Sequence, residues 1–137
     1  MLKVCKRFEF QSAHFLPHYE GDCHNLHGHS YKLDVEVIGT PLTDGTHKGM
    51  LIDFKDLKKI VEEKVIKDLD HSLLNDTFEN PTAELMAEEI FSRIKRELPD
   101  NVSLYRVRLW ETEKSYAEFF EFPNISIDLG NRLMQRL

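Results

Sequence analysis

The strictest constraint in this sequence is a period of two that runs through two stretches on either side of a histidine cluster. In residues 4–15, Val4, Phe8, Phe10, Ser12 and His14 share one parity, while Arg7, Glu9 and Gln11 take the other. From residue 27 the alternation resumes, with His27, His29, Tyr31, Leu33, Val35 and Val37 on one side and Ser30, Lys32, Asp34 and Glu36 opposite. Successive side chains of a strand point to opposite faces, so each stretch is predicted to be a half-buried strand. Residues 16–26 (LPHYEGDCHNL) hold Pro, Gly, Asp and Asn and read as a loop.

The period then changes. After a loop from Gly39 to Gly49, Asp53 is a plausible N-cap for a helix carrying Phe54, Leu57, Ile60, Val61 and Val65 on one face. A second helix is predicted to start around Asn80-Pro81, with the proline at its first position. Its stripe is Ala83, Met86, Ala87, Ile90, Phe91, Ile94 and Leu98, and it stops before Pro99. Residues 102–111 and 116–122 read as two more strands around a short turn. The order β-β-α-α-β-β favours antiparallel pairing and an α+β class. At 137 residues, 1–137 is expected to be one domain, with a tail at 123–137 that carries no clear assignment beyond a short helix as one option.

Charge narrows the function. With 18 Lys+Arg against 24 Asp+Glu, the chain is acidic by 6, which argues against a nucleic-acid module and its basic stripe. A small anionic substrate needs only a local cluster of basic groups and is not excluded. No apolar run exceeds three residues, so neither a membrane span nor a signal-peptide core is expected, and a cytoplasmic protein is. Two cysteines occur, Cys5 and Cys23. About nine extended residues at ~3.3 Å each would hold them roughly 30 Å apart. That is well beyond the roughly 7 Å that a disulfide spans, so both are read as free thiols.

Five of the seven histidines lie between residues 14 and 29. If the first two strands pair antiparallel, His14 ends one beside His27 and His29 at the start of the other. All three then share the parity of the apolar face, with Gly28 giving the backbone room. Three neutral imidazoles converging there suit Zn²⁺ and leave a fourth position open, as in catalytic rather than structural sites. A structural site would want a fourth ligand, and Cys23, in Cys-x₃-His-x-His spacing, is the candidate. His18 and His24 carry no parity argument and are read as solvent-facing.

The segment FEFQSAHFLPH…CHNLHGHSYKLDVEVIG resembles the start of the pyruvoyl- and carboxy-tetrahydropterin synthase family, as do GMLIDFKDLKK, LDHSLLND, ENPTAE and the strand end WET. The resemblance runs from about Phe8 to Phe122. It implies a tunnelling fold (T-fold), a four-stranded antiparallel sheet with two helices on one face. It also implies zinc held by His14, His27 and His29, and Cys23 as the base that takes a proton from the substrate. Asp70 and His71 match a proton-shuttling pair, although adjacent side chains diverge in extended backbone and their cooperation requires a turn. Glu111 matches the residue that anchors the pterin by a bidentate contact and joins the proton relay; it shares the parity of Tyr105, Val107 and Leu109. Thr82 is a further pterin-contact candidate or a first-turn helix residue.

The implied substrate is dihydroneopterin triphosphate. The implied assembly is a trimer or hexamer whose sheet edges pair between subunits into a barrel, with active sites between subunits. Two reactions share this machinery. One forms a pyruvoyl product toward tetrahydrobiopterin; the other also cleaves a carbon–carbon bond, releasing acetaldehyde toward queuosine. LDHSLLND and ENPTAE look more like the bacterial carboxy type. A zinc-binding module without catalysis is the reading from another class.

Overall fold

The computed structural model describes residues 1–122; the tail at 123–137 lies outside the described residues. The two alternating stretches form β1 (Leu2–His14) and β2 (His27–Gly39), paired antiparallel along their whole length. Asp53 caps α1 (Phe54–Val61) as expected, its Oδ1 accepting from the Lys55 N–H at 2.8 Å. The helix continues through a π-helical stretch (Glu62–Ile66) into a last turn, α2 (Lys67–Leu69). Then come β3 (Ser72–Leu73), α3 (Ala83–Lys95), β4 (Val102–Trp110) and β5 (Tyr116–Phe120).

The four expected strands are present, and β3 adds a fifth. The sheet order is β3-β1-β2-β4-β5, with β3 parallel to β1 and the other pairs antiparallel. Two residues of extended chain between two turns carry no periodicity, which is why β3 left no trace in the sequence. The start of α3 also differs from expectation. Pro81 lies outside the helix and Thr82 is the N-cap, in extended backbone, its Oγ1 accepting from the Leu85 N–H at 3.2 Å. A hydroxyl that satisfies a free first-turn donor outweighs proline's preference for the first helical position.

Parity decides which strand side chains enter the core between sheet and helices. Phe8, Phe10, Tyr31, Leu33, Val35, Val37, Val107 and Leu109 face the helices and join one core with Leu57, Val61, Met86, Ile90 and Ile94. The opposite face is polar yet well ordered. Arg7 donates to both Asp34 oxygens, at 2.6 and 3.0 Å, and Trp110 Nε1 donates to the second at 3.0 Å. Burial alone would raise the Asp34 pKa; the bonds from Arg7 and Trp110 outweigh it and hold the carboxyl below its usual range. A depressed carboxylate contributes stability above its unfolded pKa of ~3.9 and loses it as pH falls through the folded value. Asp34→Asn is therefore expected to cost about 1–2 kcal/mol at neutral pH. In urea unfolding the gap to wild type should close as the pH falls below about 4.

Candidate metal centre

The register sets His14 directly opposite His27 and Ser12 opposite His29, so the three imidazoles meet where β1 ends and β2 begins. Their rings lie 4.6, 5.0 and 4.9 Å apart, and one nitrogen from each falls within 4.8 Å of the others. His14 is fully buried; His27 and His29 are half-buried. Gly28 is not what makes room, since a Cβ there would meet only the Ser12 carbonyl, at 3.5 Å.

Their hydrogen bonds fix the tautomers. His14 Nδ1 lies 2.9 Å from the Pro81 carbonyl and His27 Nδ1 lies 2.7 Å from that of Asn25. A carbonyl only accepts, so each Nδ1 carries a proton, and in the neutral ring Nε2 then presents a lone pair. Those two Nε2 atoms face one another at 3.1 Å, and His29 Nε2 is buried without any partner. Lone pairs so close repel unless a cation lies between them. Burial lowers the pKa of His14 against the opposing pull of its Pro81 bond, and lowers that of His29 against the nearby Glu111 carboxylate. Both imidazoles are thereby kept neutral, the form that binds metal. The donor set fits a divalent ion that prefers nitrogen.

Glu111 follows the last residue of β4, and its Oε1 stands 3.7 Å from His29 Nε2. Cys23 sits half-buried in a 3₁₀ turn (Asp22–His24), and the Leu16 N–H pins its carbonyl at 2.8 Å. Its sulfur is not among the ligand atoms that cluster, so the Cys/His₃ site of the structural alternative is not formed among the described residues. His18 and His24 are exposed. Cys5 is free on the outer face, where desolvation and the Asp34 and Glu36 carboxylates push its thiol up, away from a reactive thiolate.

Asp70 and His71 follow α2, and the turn their cooperation required is present. His71 has φ +56°, and Asp70 Oδ1 lies 2.9 Å from its own neighbour's Nδ1. The Gln11 N–H, donating to Asp70 Oδ1 at 2.9 Å, is the first cause holding that carboxyl below its usual range; the His71 bond is the second. His71 borders an open cavity of about 670 Å³ that His29 also lines, with Gln11, Gly28 and Leu73. It is not part of the imidazole cluster. Within one chain the structure joins His14, His27, His29 and Glu111, and pairs Asp70 with His71 on a cavity that His29 also borders. Thr82 is engaged as a helix cap.

Sequence reasoning missed the groups that orient the ligands: the Pro81 and Asn25 carbonyls and Tyr31, whose hydroxyl lies 3.3 Å from His14 Nδ1. Only Tyr31 had a signal, its shared parity with His29; main-chain carbonyls have none. A second group, His47, Asp53 and Asp56, also has ligand atoms within 4.8 Å. There Asp53 is already the cap of α1.

Residues 3–121 match the family described as 6-pyruvoyl tetrahydropterin synthase. Over 88% of its length the chain is 38% identical to the whole of a 6-carboxy-5,6,7,8-tetrahydropterin synthase from Haemophilus influenzae. It is 40% identical, over 80% of this chain and 89% of the relative, to a dihydroneopterin monophosphate aldolase from Pyrococcus furiosus. Among solved structures, the 6-pyruvoyl tetrahydropterin synthase of Caenorhabditis elegans superposes with a TM-score of 0.74 at 28% identity, covering 88% of this chain and 96% of that one.

Proposed function

The chain belongs to the 6-pyruvoyl tetrahydropterin synthase family, and from that premise we propose that it is a zinc-dependent 6-carboxy-5,6,7,8-tetrahydropterin synthase. As such it converts 7,8-dihydroneopterin triphosphate and water to 6-carboxy-tetrahydropterin, acetaldehyde and triphosphate, a step toward queuosine and related deazapurines. The observation that carries this reading is the cluster of three imidazoles, with the Nε2 atoms of His14 and His27 facing one another and that of His29 buried without a partner, in a chain so similar to a relative of that name.

His14, His27 and His29 hold the zinc. Bound there, zinc would supply Lewis-acid chemistry to a hydroxyl of the substrate. Cys23 takes the proton from the neighbouring substrate carbon. Asp70 accepts from His71 Nδ1 and so leaves Nε2 of that ring to exchange protons with substrate. Glu111 receives the two parallel N–H donors of the amino-pyrimidinone edge, and its closeness to His29 sets the pterin beside the metal. Thr82 Oγ1 accepts from the backbone, which leaves its O–H free to donate to a pterin.

The working form is a homo-oligomer, a trimer or hexamer closed into a barrel, with sites shared between subunits. One feature supports this: β5 pairs on one side only among the described strands. Among the described residues no helix is long and apolar enough to cross a membrane. We place the protein in the cytoplasm as a single domain over 1–137.

The test is a product assay on the zinc-loaded protein with dihydroneopterin triphosphate. Acetaldehyde and 6-carboxy-tetrahydropterin are expected in equal amounts, abolished by a chelator and restored by zinc. Pyruvoyl-tetrahydropterin as sole product would move the chain to the other branch of the family. Turnover of dihydroneopterin monophosphate alone would favour the activity named for the Pyrococcus relative. Metal binding without turnover of either substrate would leave a non-catalytic module.

A further inference from the structure

The carbonyl of Leu69, at the end of α2, accepts from two hydroxyls. Ser72 donates to it at 2.7 Å from three residues on, and Ser12 donates from β1. Ser72 alone would satisfy that carbonyl. Ser12 is only 7% exposed and occupies the inner parity of β1, between Phe10 and His14, where an apolar side chain would otherwise pack. A hydroxyl at an apolar position needs a partner, and this one finds it across the chain at Leu69.

The same short piece of β1 holds the next two residues as well. The Gln11 N–H donates to Asp70 Oδ1 at 2.9 Å, and the His71 N–H donates to the Gln11 carbonyl at 2.6 Å. Ser12 also stands opposite Ser72 in the β1–β3 pairing and opposite His29 in the β1–β2 pairing. Residues 11 and 12 thus bind the Leu69–Ser72 segment, and two residues after Ser12 the same strand presents the proposed metal ligand His14. Among the described residues His71 is the one non-glycine with positive φ. A left-handed backbone at such a residue persists only where its surroundings hold it.

We infer that Ser12 is a positioning residue: its buried hydroxyl holds the Leu69 carbonyl and thereby keeps the Asp70-His71 turn in register with the strand that carries His14. This rests on the reading of His71 as a proton-transfer group. The chemistry needs a proton carrier at a fixed place, and a displacement of about 1 Å can cost on the order of 10²-fold in rate.

The experiment compares Ser12→Ala, Ser12→Thr and His71→Ala in the full, zinc-loaded chain. Ser12→Ala is expected to keep its zinc and its KM, to lose roughly tenfold or more in kcat, and to exchange the His71 amide hydrogen faster. Ser12→Thr, which restores the hydroxyl, should recover kcat and amide protection together. A hydroxyl that merely fills space would lower thermal stability without that paired rescue. Wild-type kcat and His71 protection in Ser12→Ala would overturn the inference, and so would a loss that tracks zinc content. Should His71→Ala keep full kcat, the proton-transfer reading fails on its own, and His71 exchange in Ser12→Ala still decides whether the clamp exists. Ser12→Cys, of similar size and a weak donor, serves if the alanine variant does not fold.

Discussion

His27→Ala is expected to yield a folded protein that carries no zinc and shows no turnover. His27 is the informative ligand to remove. His14 is fully buried, so its truncation would combine lost metal binding with a cavity in the core. His27 is half-buried at a strand end, and its Nδ1 bonds only the Asn25 carbonyl two residues away. Metal affinity should fall by more than ~100-fold, since loss of an outer-shell partner alone costs roughly 10–100-fold. Metal content after gel filtration, with urea unfolding as the control for folding, checks this. Full zinc occupancy in His27→Ala would remove the metal centre from the account.

Cys23→Ala is expected to separate metal from chemistry in the other direction. Zinc content should match wild type, because the Cys23 sulfur stands outside the imidazole cluster. The value of kcat should fall by about 10²–10⁴-fold, the usual contribution of a positioned acid or base. Cys23→Ser would recover little, since a hydroxyl is a far weaker acid than a thiol. If zinc leaves together with Cys23, the sulfur is a ligand and the structural-site alternative returns. Cys5→Ala serves as the control. Cys5 lies on the outer face, where desolvation and then the nearby carboxylates disfavour its thiolate, and its loss should leave kcat unchanged.

Much of the site was legible because a strand's alternation is a strict geometric rule. Given antiparallel pairing of β1 and β2, the parity of His14, His27 and His29 forces them to one face and one end. The same reasoning took Glu111 to the inner face, where it approaches His29. Helical stripes likewise located α1 and α3, because burying an apolar face is what keeps such helices in place. Proline at position 81 misled the start of α3 by little, since a cap depends on local hydrogen bonds that a single residue preference does not capture.

The sequence by itself thus determined which side chains share a face: periodicity is a property of neighbours along the chain, and it needs no knowledge of what lies opposite. Only the tertiary structure decided how those faces are held. The left-handed turn at His71 exists because β1 supplies two backbone bonds and a hydroxyl from nearly sixty residues away. The lone pairs of His14 and His27 face inward because the Pro81 and Asn25 carbonyls occupy their other nitrogens. Main-chain carbonyls are the same in every residue. What they bond is set by where the chain brings them, and no pattern of residue types records it.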